Sequence, residues 1–139
     1  MYLLDTNVVS ELRKAKNGKI DRNVQKWASQ VAVPTLYLSV ITLLELELGI
    51  LLVERRDAEQ GTLLRSWLND HVMPIFSERT LDIDAAIALR CAALHVPEQR
   101  SDRDALIAAT GLVHGMTVVT RNVSDFVETG VKLLNPWIE

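Results

Sequence analysis

The chain has 139 residues, of which 48% are hydrophobic, and a formal net charge of −3. This length predicts one domain spanning residues 1–139, and the hydrophobic content excludes a disordered chain. The negative charge excludes a protein that binds nucleic acid through its overall charge, so any such contact needs a local basic patch or bound cations.

Cysteine content and hydropathy predict a soluble, cytoplasmic protein without a membrane partner. Cys91 is the only cysteine, which excludes an internal disulfide and favours a reducing compartment. Its apolar neighbours indicate a core residue rather than a catalytic thiolate. The most apolar segment, residues 43–53, contains Glu45 and Glu47 and is too short to span a bilayer. The first residues lack the pattern of a signal peptide.

Hydrophobic periodicity and turn residues predict strands that alternate with helices. In chain order, the predicted elements are a strand at 2–4, a helix at 6–13, a basic loop at 14–19, a helix at 22–31, a strand at 36–41, helices at 42–56, 57–72, 84–94 and from 101 to about 115, and strands at 117–120 and 131–134. This order predicts a helix-rich α/β fold with a short, mainly parallel sheet and helices on both faces.

Three acidic residues lie at one edge of the predicted sheet. Asp5 follows the first strand, Glu45 lies in the first turn of the helix after the second strand, and Asp104 lies in the first turn of the helix before the third. Crossover helices run antiparallel to parallel strands, so helix N-termini and strand C-termini meet at the same edge. Asn122 and Asp125, which follow the third strand, are expected there too.

Taken singly, these residues have simpler explanations. Asp5, Glu45 and Asp104 could cap helices, the last two in capping boxes with Thr42 and Ser101. The two residues after the third strand could be ordinary turn residues. Gathered at one edge, however, carboxylates repel one another and raise one another's pKa, which a fold alone does not require. Oxygen ligands without histidine or cysteine suit Mg²⁺ or Mn²⁺, ions that promote phosphodiester hydrolysis.

Four sequence blocks resemble the PIN domain, and more narrowly VapC-type toxins with their FitB-like branch. The blocks are Leu3–Asn7, Leu38–Leu46, Asp104–Thr110 and Val119–Phe126. They occur in the family's order and extend over nearly the whole chain, and the segment Leu134–Trp137 is also similar to the FitB-like branch.

The resemblance implies a PIN-like fold and a metal-dependent endoribonuclease, the toxin of a type II toxin–antitoxin system, which hydrolyses RNA with a metal-activated water. It implies the metal ligands Asp5, Glu45 and Asp104, with Mg²⁺ or Mn²⁺ as the ion. Asn122 takes the fourth position, where the family often has aspartate, so the number of bound ions is open. Asp125 could partly replace the missing acid. The surrounding polar positions of the family match Thr6, Asn7 and Thr120.

The resemblance also implies partners: an RNA substrate, a VapB-like antitoxin, and a homodimer or a higher toxin–antitoxin assembly. Basic residues near the acidic edge are expected to contact RNA phosphates, although a solvated face is the alternative. The residues predicted to do so are Arg13, Lys14, Arg103 and Arg121. The helix over 43–53 is apolar nearly all round, which favours a dimer or antitoxin interface for part of it. The three tryptophans, Trp27, Trp67 and Trp137, are expected to be core or interface anchors, and base stacking is the less favoured alternative.

Two other functions remain compatible with the sequence. The chain could be a non-enzymatic partner that binds an antitoxin and acts with it as a DNA-binding regulatory complex. It could also be a receiver-like or haloacid-dehalogenase-like domain with an acidic Mg²⁺ pocket. The second alternative is disfavoured because Asn7 occupies the place of a second acid and Arg121 the place of a lysine.

Overall fold

Five short parallel strands form the centre of the fold in the computed structural model, which describes residues 1–138. The strands are β1 (Tyr2–Leu4), β2 (Leu36–Ser39), β3 (Thr80–Leu81), β4 (Thr117–Val119) and β5 (Leu133–Leu134). Their order across the sheet is β3-β2-β1-β4-β5, and every neighbouring pair is parallel. The first strand of the chain is therefore the central strand, as expected for an open α/β sheet.

Helices connect the strands and cover both faces of the sheet. They are α1 (Thr6–Leu12), α2 (Arg22–Gln30), α3 (Val40–Arg56), α4 (Ala58–Trp67), α5 (Met73–Ile75), α6 (Ala85–Leu94) and α7 (Asp102–His114). The predicted helix-rich α/β fold with a parallel sheet is confirmed. In the part of the chain that the structure describes, no helix is both long and apolar enough to cross a bilayer.

The central strand contributes to a core on each side of the sheet. Leu4 packs with Val8, Leu38 and Leu46 in one core, which faces α1 and α3. Leu3 belongs to the other, with Ile107 on α7 among its members. Successive residues of a strand point to opposite faces, so the adjacent Leu3 and Leu4 are both fully buried. The result is a rigid strand end immediately before Asp5.

A smaller apolar cluster joins α6 to α7. It contains Ile87 and Cys91 on α6 and Ala105 and Ala109 on α7. Burial is the main reason that the pKa of the Cys91 thiol is raised, and nearby Asp102 adds to the effect. Cys91 is thus a buried apolar-like residue, as the sequence indicates. Small alanines permit close approach of the two helices, which anchors the helix that carries Asp104.

The second strand is shorter than predicted, and α3 begins earlier. The strand ends at Ser39 instead of Ile41, and the Ser39 hydroxyl accepts a hydrogen bond of 3.0 Å from the Ile41 amide. Thr42 is buried inside the helix, where its hydroxyl donates to the Leu4 carbonyl at 3.4 Å. The predicted capping box of Thr42 with Glu45 is therefore wrong, because Ser39 is the N-cap.

Three further elements differ from the prediction. The strand β3 was not expected, and the basic loop at 14–19 largely forms a 3₁₀ helix, Arg13–Asn17, which ends at Gly18 with a positive φ of 73°. The helix predicted to end before Pro74 continues through a π-helical turn, Leu68–Val72, into α5. Pro74 has no N–H to donate inside this continuous helical stretch, and it lies beside the π-helical turn, where the hydrogen bonds already depart from the α-helical spacing.

Candidate active site at the carboxyl edge of the sheet

Asp5 lies at the end of β1 and caps α1. Its Oδ1 atom accepts a hydrogen bond of 2.9 Å from the Thr6 amide, and its Oδ2 atom accepts one of 2.8 Å from the Thr120 hydroxyl. The Asn7 amide group donates to the same Oδ2 atom at 3.4 Å. Only 7% of Asp5 is exposed. Capping therefore uses one carboxylate oxygen, while polar side chains orient the other.

Burial is the largest cause of a raised pKa at Asp5. The hydrogen bonds from Thr120 and Thr6 act in the opposite direction, since they stabilise the charged form. The carboxylates of Glu45 and Asp125 raise the pKa further by repulsion. Asp5 is thus a buried acid with two other acids nearby.

Glu45 reaches the same edge from α3. The sequence predicts Glu45 in the first turn of its helix. Because α3 begins at Val40, Glu45 lies in the second turn instead. Its Oε1 atom accepts a hydrogen bond of 2.7 Å from the Thr6 hydroxyl, and its Oε2 atom lies 3.6 Å from Nη1 of Arg103. Thr6 therefore connects two acids: its amide donates to Asp5 and its hydroxyl to Glu45.

Asp104 lies in the first turn of α7, as predicted. The Ser101 hydroxyl caps this helix and accepts a hydrogen bond of 3.4 Å from the Asp104 amide. The pKa of Asp104 is raised to about 6, first by burial and then by the charges of Asp5, Asp125 and Glu45. An acid whose pKa is raised by burial and by neighbouring acids is typical of a functional site.

The loop after β4 contributes Thr120, Asn122 and Asp125. The buried Thr120 hydroxyl accepts hydrogen bonds from the Asn122 amide at 3.0 Å and from Asn7 at 3.4 Å, and it donates to Asp5. Asn122 and Asp125 are exposed. The charge of Asp125 raises the pKa of both Asp5 and Asp104, so this acid lies close to the cluster. The contact of Asn122 with the cluster is the hydrogen bond from its backbone amide to Thr120.

The donor set suits a hard divalent cation. The acids that influence one another, Asp5, Glu45, Asp104 and Asp125, offer only carboxylate oxygens, the ligands that Mg²⁺ and Mn²⁺ prefer. A cation would offset the repulsion that raises the pKa of Asp104. Within residues 1–138, no three histidine, cysteine or acidic side chains already converge closely enough to bind one ion. The fit therefore rests on donor chemistry and charge.

Three of the four cations predicted to contact RNA lie near the acids. Arg103 contacts Glu45, and the Arg121 amide donates to Asn7 at 3.2 Å. Arg13 shares a cavity of about 320 Å³ with Glu45, although its guanidinium also lies over the Trp67 ring at 5.9 Å.

Lys14 is engaged elsewhere. Its Nζ atom forms an ion pair of 3.1 Å with Glu11, a buried acid whose other carboxylate oxygen accepts a hydrogen bond from the Asp21 amide at 2.8 Å. Glu11 thus links the end of α1 to the start of α2, and Lys14 balances its charge. The structure does not bring Lys14 to the acids.

Trp137 and Asn135 lie beside the site, a location that the sequence did not predict. The Arg121 guanidinium lies 5.2 Å from the centre of the Trp137 ring, and the Asn135 side chain donates to the Arg121 carbonyl at 3.4 Å. Their block, Leu134–Trp137, resembles the FitB-like branch, which was the available signal. The sequence favoured Trp137 as a core or interface anchor, with base stacking as the alternative.

Comparison with known proteins identifies the family of the chain. The PIN domain family model matches residues 2–132. The chain is 36% identical to "VapC ribonuclease Y4jK" of Sinorhizobium fredii (strain NBRC 101917 / NGR234), with 99% of this chain and 98% of the relative covered. It is 34% identical to "Toxin FitB" of Neisseria gonorrhoeae (strain ATCC 700825 / FA 1090), with 99% of each chain covered.

A solved structure extends the match to three dimensions. The structure of FitAB bound to an IR36 DNA fragment contains a chain that superposes with a TM-score of 0.89 at 30% sequence identity. The superposition covers 100% of this chain and 97% of that one. The protein therefore belongs to the PIN domain family.

Proposed function

We propose that this chain is a single-domain, metal-dependent endoribonuclease that uses Mg²⁺ or Mn²⁺ and acts in the cytoplasm as the toxin of a type II toxin–antitoxin pair. The observation that carries the proposal is the gathering of acids at the carboxyl edge of the sheet, where Thr6 donates hydrogen bonds of 2.9 Å to Asp5 and 2.7 Å to Glu45 and where neighbouring acids add to the raised pKa of Asp104. Repelling carboxylates at a sheet edge have no structural benefit, whereas a cation and a phosphodiester substrate give them a use. Relatives named ribonuclease and toxin support the same reading.

In this proposal Asp5, Glu45 and Asp104 hold the metal ion. When bound, the ion lowers the pKa of a water molecule towards neutrality and offsets the negative charge of the phosphate. Thr120 fixes the orientation of the Asp5 carboxylate, and Thr6 fixes that of Glu45 through hydrogen bonds of 2.8 and 2.7 Å. Such supporting contacts hold ligands in the conformation that the ion needs.

Other polar and basic residues would hold the substrate. Asn122 is neutral, so it orients water or a neighbouring carboxylate without adding charge. Asp125 supplies negative charge near Asp5 and Asp104. Arg103 and the other cations near the acids contact RNA phosphates, which positions the strand without reading its sequence.

The direct test replaces acids without changing their size. We expect Asp5→Asn and Asp104→Asn to abolish cleavage of single-stranded RNA in Mg²⁺ or Mn²⁺, with thermal unfolding still cooperative. Asp70→Asn, at an exposed position in the π-helical turn, is the matched control and should cleave normally. Full activity in either site variant, or cleavage that persists in excess EDTA, would refute the enzyme proposal.

Exposed leucines on α3 support an assembly role. Leu44, Leu48, Leu51 and Leu52 are between 39% and 56% exposed, while Leu46 and Ile50 on the same helix are buried. We propose that this exposed apolar face takes part in a homodimer or in binding an antitoxin. Leu48→Glu should lower the molecular mass measured by light scattering, or weaken antitoxin binding. A variant with unchanged mass and unchanged antitoxin affinity would exclude this face.

A regulatory function is the second candidate, and the DNA-bound FitAB structure favours it. Here the chain would bind its antitoxin and occupy promoter DNA as part of the complex. The two functions are compatible, and one assay separates them. Cleavage of RNA by the purified chain that stops on addition of the antitoxin requires the enzyme function. If the complex binds promoter DNA but the purified chain cleaves no RNA, only the regulatory function remains.

A further inference from the structure

A path of hydrogen bonds begins at Asp5 and leads away from the acids. The Asn7 side chain donates to Asp5, and its Oδ1 atom accepts from the Arg121 amide at 3.2 Å. The Arg121 carbonyl in turn accepts from the Asn135 side chain at 3.4 Å. The bond between Arg121 and Asn7 joins residues 114 positions apart, so it ties the backbone of Arg121 to the segment that carries Asp5.

The same path continues to α2. The Asn135 Oδ1 atom accepts a hydrogen bond of 2.9 Å from the Trp137 amide, and the Trp137 carbonyl accepts one of 2.7 Å from the Asn23 side chain. Asn23 lies in the first turn of α2. The residues after β5 are therefore held between the loop after β4 and the start of α2.

Trp137 also determines where the Arg121 side chain lies. The guanidinium is placed over the indole face at 5.2 Å, a cation–π contact that restricts a long and otherwise mobile side chain. Arg121 is exposed, while Trp137 is only partly exposed. A guanidinium stacked on a ring keeps its N–H groups available at its rim, where they can bind a phosphate.

A cavity of about 560 Å³ lies between α2 and the residues after β5. Its lining includes Asn23, Lys26, Trp27, Gln30, Asn135 and Pro136. Three side-chain amides, an indole and an ammonium group are present together. The Asn23 and Asn135 amides already bond to backbone groups, which holds them in place at the cavity wall. The Gln30 amide can donate and accept hydrogen bonds at a base edge, an indole can stack on a base, and lysine binds phosphate, so the lining suits a nucleotide.

We propose that this cavity binds a nucleotide of the RNA strand next to the cleaved phosphodiester, and that Arg121 holds the phosphate between the cavity and the acids. Trp137 is a positioning residue, because it acts on the substrate through Arg121. The inference rests on the proposed nuclease function and adds a path for the strand. Two shared residues, Asn23 and Asn135, connect the hydrogen-bonded path to the cavity.

The first experiment measures RNA binding without cleavage, by fluorescence anisotropy of a labelled single-stranded RNA in EDTA. Arg121→Ala should weaken binding about tenfold, because a charged hydrogen bond is lost. It should also reduce the slope of log affinity against log salt by about 0.7, the value for one phosphate contact on a single strand. Arg90→Ala, at an exposed position on α6, is the matched control and should keep both affinity and slope.

The second variant set separates positioning from general stability. Trp137→Ala should weaken binding about two- to fivefold, from the loss of the cation–π contact. Trp137→Phe should restore most of the affinity, and the double variant with Arg121→Ala should bind no more weakly than Arg121→Ala alone. Equal effects of Trp137→Ala with and without Arg121 would overturn the positioning role. Melting temperatures of all variants verify that they fold.

Photocrosslinking locates the base directly. RNA with 4-thiouridine beside the cleaved position should crosslink to peptides that contain residues 23–30 or 134–138, as identified by mass spectrometry. Crosslinks confined to other regions would overturn the assignment of the cavity. The same holds if the Arg121 and Trp137 variants weaken the binding of an antitoxin but leave the affinity for RNA unchanged. Because binding is measured without metal, a chain that binds RNA in this way but never cleaves it would refute the nuclease function alone.

Discussion

The raised pKa of Asp104 makes the stability of the metal-free protein depend on pH. Its folded-state value of about 6 lies above the ordinary value of 3.8, so the folded protein binds this proton more tightly than the unfolded chain. The associated stability is fully present below about pH 4 and is lost as pH rises to about 6. Asp104→Asn removes the charge at every pH and should therefore stabilise the metal-free protein near neutrality.

The expected gain follows from the same two values. The difference between 3.8 and about 6 corresponds to an upper bound of roughly 3 kcal/mol. Asp104 is partly exposed, and solvent screening reduces the expected gain to roughly 1 kcal/mol. For a domain of this size, that is a rise in melting temperature of about 2–5 °C at neutral pH, which should shrink to a small fraction at about pH 4.

Thermal denaturation in EDTA at these two pH values, followed by circular dichroism, is the assay. Asp70→Asn should show no comparable pH-dependent gain. Added Mn²⁺ should raise the melting temperature of the unaltered protein at neutral pH more than that of Asp104→Asn, because the variant lacks one of the carboxylates proposed to bind the ion. An equal gain at both pH values, or none at neutral pH, would contradict the view that repulsion and burial destabilise the ionised form.

Two further predictions concern the hydrogen bond between Thr120 and Asp5 and the packing of α4 against α3. Thr120→Val removes the donor of the 2.8 Å bond to Asp5 and should lower Mn²⁺ affinity, measured by calorimetry, by about tenfold or more; unchanged affinity would show that this bond does not prepare the site. Gly61→Ala would place a Cβ atom 2.7 Å from the Cα of Glu54. It should destabilise the protein in urea by roughly 1–3 kcal/mol. Gly49→Ala, with nothing within 4 Å, should stabilise by roughly 0.5–1 kcal/mol, and similar losses in both would refute the packing argument.

The order of elements and the edge at which Asp5 and Asp104 lie could be predicted because they depend on local signals. An apolar strand before Asp5 and a Ser101 cap before Asp104 determine those two positions without knowledge of the rest of the fold. The position of Glu45 was predicted less well. Ser39 and Thr42 are both suitable N-cap residues. In the structure β2 pairs with β1 and ends at Ser39, which therefore caps α3, and the sequence alone does not reveal that pairing.

Long-range contacts explain the remaining differences. The two-residue strand β3 has no periodicity, and its place is set by backbone pairing such as the 2.9 Å bond from the Leu38 amide to the Arg79 carbonyl. The Arg121–Trp137 contact depends on how the residues after β5 return to the acidic edge. Lys14 was different: its pairing with Glu11 follows from their spacing on one helical turn and could have been anticipated.

The central position of β1 has a consequence for synthesis on the ribosome. Asp5 leaves the ribosome well before Thr120, the threonine that orients it, which lies 115 residues later in the sequence. The nascent chain must therefore expose α7 and β4 before the acids can gather, and closing so long a loop is a late, slow event in folding. Any activity of the site therefore begins only after β4 and Thr120 have left the exit tunnel, and we expect a translation product that ends before β4 to be inert.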